Sequence, residues 1–456
     1  MGKRFSLENV LSIGVDPHRE ALEVVGIRFP EEIILDETFE DTPSGHRELL
    51  AKAKQLASKH SLSPVFGLEE SGNYGYNLAR YLVEEGCQVK EVNPRMTNRQ
   101  RDFYGQDKTD RLDALSAAAI VLRAYERLPD VTPVQEATQA TKGLSRYREQ
   151  LVKGQTANLN RLHSLLANQY PAYKAFFSQV NGAAALAFWA TYPTPSHLKG
   201  VTIDELADFL YQRSNHRLGR GASRKKAQHI LESFRWENVS EPDILTKAQA
   251  QIIKDLAQRL LQLKGSIQTI GKNLKETIPS TGQELETFNG LGTVLAAVFI
   301  GETLSTARFD RDKDKFASYN GTAPATRGSG KHTRRVENRW CNRRLKDAFN
   351  QLALSAARLE PLSEEYYQGL LERGMDPPEA RKRLMRRLSD IIFAMMRDKT
   401  AYDPATYRRK KACKAREESV AAARWRHEPS AFPSLIGQVY HTREASSNSQ
   451  SKRHPV

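Results

Sequence analysis

Along the first 128 residues, apolar positions fall into short runs of period two, separated by stretches with helical spacing. LSIGVD, at 11–16, is an apolar run ending in a carboxylate. ALEVVGIRF and EEIILDETF follow it across a short Pro-containing break, which predicts three antiparallel strands. Thr42-Pro43 reads as an N-cap followed by proline in a first helical turn. Next come a strand at PVFGLEE (64–70), a helix from about Tyr74 to Glu85, a strand at QVKEVN and a helix across 110–127. Three hairpin strands followed by βαβ units predict an α/β domain with a mixed sheet covered by helices.

The period then changes. A long helix is predicted from Val134 to about Leu166, followed by a Pro-, Gly- and aromatic-rich middle section at 171–243. A second long helix carries Ile252, Leu256, Leu260, Leu263, Ile267, Ile270 and Leu274, close to a heptad seam. That seam fits either a helix packed on its own domain or a coiled coil that spans domains or pairs two chains. Residues 285–400 read as a compact, mostly helical unit, and 401–456 as a basic tail ending in the disorder-prone SSNSQSKRHPV. The expected organisation is 1–128, a helical connector at 129–284 containing the 171–243 insert, 285–400, and the tail.

Charge and composition narrow the function. The chain has 456 residues, with 69 Lys+Arg against 54 Asp+Glu, a formal net charge of +15. That excess favours a polyanionic partner, most often nucleic acid. No apolar run approaches the roughly 18 residues of a spanning helix, and the N-terminus lacks the pattern of a signal peptide. Cys87, Cys341 and Cys413 are isolated, which argues against a disulfide framework or a zinc site. A cytoplasmic, membrane-free protein is expected.

Four acids stand out. Asp16 ends the first strand, and Glu69 and Glu70 end a later one. Side chains two apart on a strand share a face, which places Asp16 with Gly14 and Ser12, and Glu69 with Gly67. A carboxylate beside glycine leaves room for an ion and a substrate backbone, which favours Glu69 over Glu70. In KTDRLDA, Asp110 and Asp113 are three apart on a predicted helix and so lie on one face. Carboxylates so grouped repel, and a hard divalent cation such as Mg²⁺ both relieves this and polarises a phosphodiester.

These segments resemble the transposases of bacterial insertion sequences that carry a RuvC-like (RNase H-like) domain with a D-E-D-D tetrad and a separate C-terminal transposase domain. The N-terminal matches are GVDPH, EESGNYGYNLARYL, VNPRM and KTDRLDA; within the second, Glu69, Gly72 and Tyr74 fit the family's glutamate motif. The C-terminal matches are FNGLGTVLAAVFIGE, RFDRDKDKFASYNGTAPATRGSGKHTRR and NRRLKDAFNQLA. The resemblance implies that Asp16, Glu69, Asp110 and Asp113 bind Mg²⁺ and that Ser329, in the SG pair, forms a covalent link to DNA. It further implies donor and target DNA as substrates, a guide (bridge) RNA that pairs with both, and dimers that pair into a tetramer.

The residues themselves add detail. Ser329 lies between Gly328 and Gly330, where the backbone can approach a phosphate. Residues 327–346 hold eight Lys/Arg against one Glu, which makes Arg327, Lys331, Arg334, Arg335, Arg339, Arg343 and Arg344, with Lys108 beside the acids, candidate nucleic-acid contacts. RKRLMRR at 381–387 adds five more cations. Gly290-Leu291-Gly292 reads as a turn able to present backbone N–H groups to a phosphate. The alternatives are a RuvC-like nuclease that uses water as nucleophile and a non-catalytic nucleic-acid-binding relic.

Overall fold

The computed structural model describes residues 7–69, 74–104, 109–131, 134–234, 242–329 and 332–406. Residues up to Tyr402 form one unit by their contacts; of the unit that follows, only 403–406 are described. The expected disordered tail therefore lies almost wholly outside the described residues.

The period-two runs form β1 (Val10–Pro17), β2 (Ala21–Arg28), β3 (Glu32–Glu40), β4 (Ser63–Leu68) and β5 (Gln88–Glu91). Their order in the sheet is β3-β2-β1-β4-β5; β1, β2 and β3 are antiparallel, while β4 and β5 join in parallel. This is the mixed sheet expected from hairpin strands followed by crossovers, and it is compatible with a RuvC-like α/β domain. The crossovers are α1 (Pro43–His60), whose Thr42 side chain accepts the Gly45 N–H, and α2 (Tyr76–Glu84). A polar helix, α3 (Pro94–Arg101), was not predicted, because it carries no apolar period. Then comes α4 (Asp110–Ala124), capped by the Thr109 side chain on the Leu112 N–H and buried from Asp113 to Leu122.

Strand alternation sorts the two faces. Leu11, Ile13, Val15, Phe66 and Leu68 pack with Leu49, Leu50 and Leu78 of α1 and α2. On the other face Val10, Val65, Val25 and Ile27 pack with the alanine-rich side of α4.

Beyond the sheet, α5 (Glu136–Gln169) leads into four shorter helices, α6 (Tyr173–Phe176), α7 (Ala183–Thr191), α8 (Ile203–Arg213) and α9 (Arg220–Glu232). The chain returns along α10 (Ile244–Thr277), antiparallel to α5: Gln169 bonds Gln249 at one end, and Gln135 donates to the Ser280 carbonyl at the other. The middle section supplies Phe176, Phe188 and Trp189 to an apolar core shared with Leu162, Leu166, Tyr170, Ile253, Leu256 and Leu260. Leu256, Leu260 and Leu274 of the heptad seam are buried, Leu263, Ile267 and Ile270 are half-buried, and Ile252 is exposed while Ile253 faces the core. The seam is thus used in part by α5 of the same chain.

The C-terminal unit comprises α11 (Thr293–Thr303), α12 (Lys313–Tyr319), a hairpin of β6 (Ala325–Ser329) and β7 (His332–Val336), α13 (Arg343–Leu359), α14 (Pro361–Leu371) and α15 (Pro377–Asp398). Phe299, Phe316, Phe349 and Phe393 meet at its centre. The Gly290-Leu291-Gly292 turn has Gly290 at φ +94°, and its carbonyl accepts the Ser355 hydroxyl of α13 at 2.8 Å. Among the described residues no helix is long and apolar enough to cross a membrane.

Candidate active site

The site is built by the register of α4 on β1. Two strand residues advance about 6.7 Å and four helical residues about 6 Å, so an antiparallel helix can keep step with alternate strand positions. Ser12 Oγ donates to the Ala118 carbonyl at 2.7 Å. Four helical residues earlier, a Cβ on Gly14 would lie 2.0 Å from the Ala114 oxygen. One step further the same face brings Asp16 to the first turn of α4, where Asp110 and Asp113 stand. His18 Nε2 lies 3.2 Å from Asp16 Oδ2 and 3.1 Å from Asp110 Oδ2. That nitrogen is buried and aligned with neither carboxylate as a hydrogen-bond donor.

Glu69 follows β4 directly and joins the cluster from the neighbouring strand. Burial pushes its carboxyl up, the Thr97 hydroxyl of α3 opposes this, and Asp16 and Asp113 push it up further. Asp16 is pushed up to about 6, mainly by burial, with His18 lowering it and Asp113 and Asp110 raising it. Arg101 of α3 binds Asp113 and, at 2.8 Å, the Asn98 side chain. The four predicted acids therefore share one electrostatic neighbourhood, arriving from β1, the end of β4 and the start of α4. Glu70 lies outside the described residues.

The glycines beside the acids are expected to leave room for an ion and a substrate backbone. Instead Gly14 and Gly67, which are register partners on β1 and β4, are covered by α4, whose Val121 would lie 2.4 Å from a Cβ on Gly67. The glycines admit the helix that carries Asp110 and Asp113. His18, Thr97 and Arg101 were missed. His18 was readable, standing two positions after Asp16 in GVDPH, whereas α3 gave no pattern to read.

Two carboxylates and an imidazole form a donor set that could hold a metal ion. Among the described residues Asp16, His18 and Asp110 offer ligand atoms all within 4.8 Å of one another. The Asp16 carboxyl is raised mainly by burial and further by Asp113 and Asp110, and a bound cation would offset both.

The predicted serine and cations lie elsewhere in the chain. Ser329 ends β6, with His332 as its register partner; Arg327 pairs with Arg334, and Thr326 with Arg335. Of these only the backbone is described. Lys331 and Lys108 lie outside the described residues. Arg339 is exposed and Arg343 opens α13, also exposed. Arg344 is engaged within the chain, at 2.6 Å from Glu149 and 3.7 Å from Glu302.

The sequence is similar to those of known proteins. Residues 13–171 match a transposase family of the DEDD type named for IS110, and residues 282–368 match the "Transposase IS116/IS110/IS902 family". A 44.8 kDa protein of insertion element IS116 from Streptomyces clavuligerus is 28% identical over 75% of this chain and 84% of its own length. A 43.6 kDa protein of IS110 from Streptomyces coelicolor is 24% identical over 88% of this chain and 97% of its own. A 42 kDa protein of IS900 from Mycobacterium paratuberculosis is 25% identical over 79% and 88%. With both domain matches in order along the sequence, the chain belongs to the IS110/IS116 family of insertion-sequence transposases.

Proposed function

We propose that this transposase exchanges DNA strands through a metal-dependent, covalent serine–DNA intermediate guided by RNA. The observation that carries the reading is the convergence of Asp16, Glu69, Asp110 and Asp113, with His18 between two of them, at one end of the sheet. These side chains would hold Mg²⁺, which when bound offsets their charge and polarises the scissile phosphodiester. Ser329 Oγ attacks that phosphorus as the bond to the leaving oxygen breaks, and the leaving oxygen takes up a proton. The other strand's hydroxyl then displaces the serine, so bond energy is conserved and no ATP is consumed.

Arg327, Lys331, Arg334 and Arg335 flank the serine and steady the attacked phosphate. Lys108, Arg339 and Arg343 hold nucleic-acid backbones; Arg344 serves first to join α13 to α5. Base pairing by a guide (bridge) RNA would supply sequence, with the protein reading backbones. Dimers pairing into a tetramer, using the half-buried Leu263, Ile267 and Ile270 of α10 in a coiled coil, would let one chain's serine serve another's acids.

The test is to purify the protein with RNA from the element's non-coding end and incubate it with labelled DNA and Mg²⁺. An adduct on a denaturing gel that requires Mg²⁺, the RNA and Ser329 is expected. Cleaved DNA without an adduct, unchanged in Ser329→Ala, would replace this mechanism with hydrolysis by water.

A further inference from the structure

A cleft of about 370 Å³ opens beside the carboxylate site, with Glu69 at one edge and Tyr76, Lys142, Arg146, Arg308 and Tyr319 among its walls. Carboxylates outnumber cations in its lining, but Glu84, Glu91, Asp130 and Glu302 each face a basic partner, and the cations are not equivalent. Arg146 gives two N–H groups to Glu302, at 2.8 and 3.0 Å. Arg308 is buried against Glu91. Lys142, one helical turn from Arg146 on α5, has no hydrogen bond or ion pair among the described residues.

The fold holds Lys142 there firmly. A Cβ on Gly301 would lie 2.7 Å from the Lys142 Cα, so α11 clamps the backbone. Burial, with Arg146 beside it, lowers the lysine's proton affinity, and Glu302 and Glu91 offset this only in part. A half-buried ammonium without an anion is unfavourable, and an incoming anion would complete it. Glu69, beside which a strand would be cut, lines the cleft, and a volume of about 370 Å³ is far too small to take a duplex.

We propose that Lys142 is a positioning residue that holds a backbone phosphate of the unpaired DNA strand leading away from the carboxylate site. This rests on the DNA-recombination reading above and adds the path of the strand. The cleft's aromatic walls, Tyr76 and Tyr319, would lie against the sugar and base of the nucleotide so held.

The experiment walks single methylphosphonates along the DNA strand near the attacked phosphate and measures binding to the full-length protein with its RNA. At one position the neutral linkage should weaken wild-type binding on the order of tenfold, as for a hydrogen bond to a charged group. Lys142→Gln should lose that sensitivity and Lys142→Arg should keep it. The log–log salt dependence of Lys142→Gln should be shallower by about 0.7, one single-strand phosphate contact. Lys142→Gln should melt no lower than wild type, since it removes an uncompensated charge. Equal losses in wild type and Lys142→Gln at every position would overturn the proposal alone. So would coupling confined to RNA phosphates, or marked destabilisation of Lys142→Gln, which would reveal an internal partner. A wild-type protein that binds no DNA would remove the recombination reading itself.

Discussion

Burial and crowding hold the Asp16 carboxyl near about 6 against an ordinary value of 3.8, despite His18 beside it. A carboxyl raised in this way favours the folded state when protonated. Its contribution is fully present below the unfolded value near 3.8 and is lost as pH rises through about 6. Asp16→Asn should therefore raise the melting temperature of chelator-treated protein at pH 8, and the gain should disappear towards pH 4. The same variant should abolish recombination while DNA binding stays within about twofold, because it leaves the phosphate contacts that supply affinity untouched. Divalent cations compete with that proton, so added Mg²⁺ or Mn²⁺ should stabilise the wild type above pH 6 and progressively less below it. A lower melting temperature for Asp16→Asn at pH 8 in chelator would mean that Asp16 anchors α4 through His18, and the crowding account would be wrong.

At the scale of elements, the site depends on how closely α4 lies on β1. A methyl at Gly14 would meet backbone on two sides, 2.0 Å from the Ala114 oxygen and 2.4 Å from the Ala118 nitrogen. Backbone cannot swing aside as a side chain can, so Gly14→Ala should cost at least the 1–3 kcal/mol typical of overpacking, roughly estimated. It should also move Asp110 and Asp113 away from Asp16 and weaken Mn²⁺ binding, measured by titration, more than its loss of stability accounts for. Unchanged Mn²⁺ affinity would show that the first turn of α4 is placed by Thr109 and its own cap instead. This register was half legible in the sequence. Period-two runs located the strands, and the position of Asp16, Glu69, Asp110 and Asp113 at element ends was readable because strand faces alternate. What the glycines do was not, since a gap for a ligand and a gap for a helix look alike until the helix is placed. In α3 Met96 is the one large apolar side chain, so no period shows, and the middle section is too broken by Pro and Gly for a period to show its shared core. Ser329 carried no signal beyond its family motif.

At the scale of the whole molecule, buried charges tie the C-terminal unit back to α5 and to the sheet. Arg146 of α5 reaches Glu302 of α11, and Arg308, just after α11, reaches Glu91 at the end of β5. The second pair is unequal: the Arg308 side chain is 6% exposed and that of Glu91 34%. Removing either partner strands the other, and the cost depends on how much water the survivor can reach. Arg308→Met leaves Glu91 at a rim where water can solvate it. Glu91→Gln leaves a guanidinium enclosed by the rings of Phe309 and Tyr319, with their centroids 5.5 and 5.3 Å away. Glu91→Gln should therefore be the more damaging, approaching the roughly 3–5 kcal/mol seen when one partner of a buried pair is lost, and Arg308→Met should cost less. The double variant strands neither charge, so urea unfolding should place it well short of the sum of the two, with a coupling above about 0.5 kcal/mol. Additive losses, or the reverse order, would mean that the two units are joined by their apolar contacts with α5 and that Arg308 merely lies beside Glu91. Because both residues wall the cleft that holds Lys142, the more damaging variant should also lose DNA affinity, although neither residue is proposed to touch DNA.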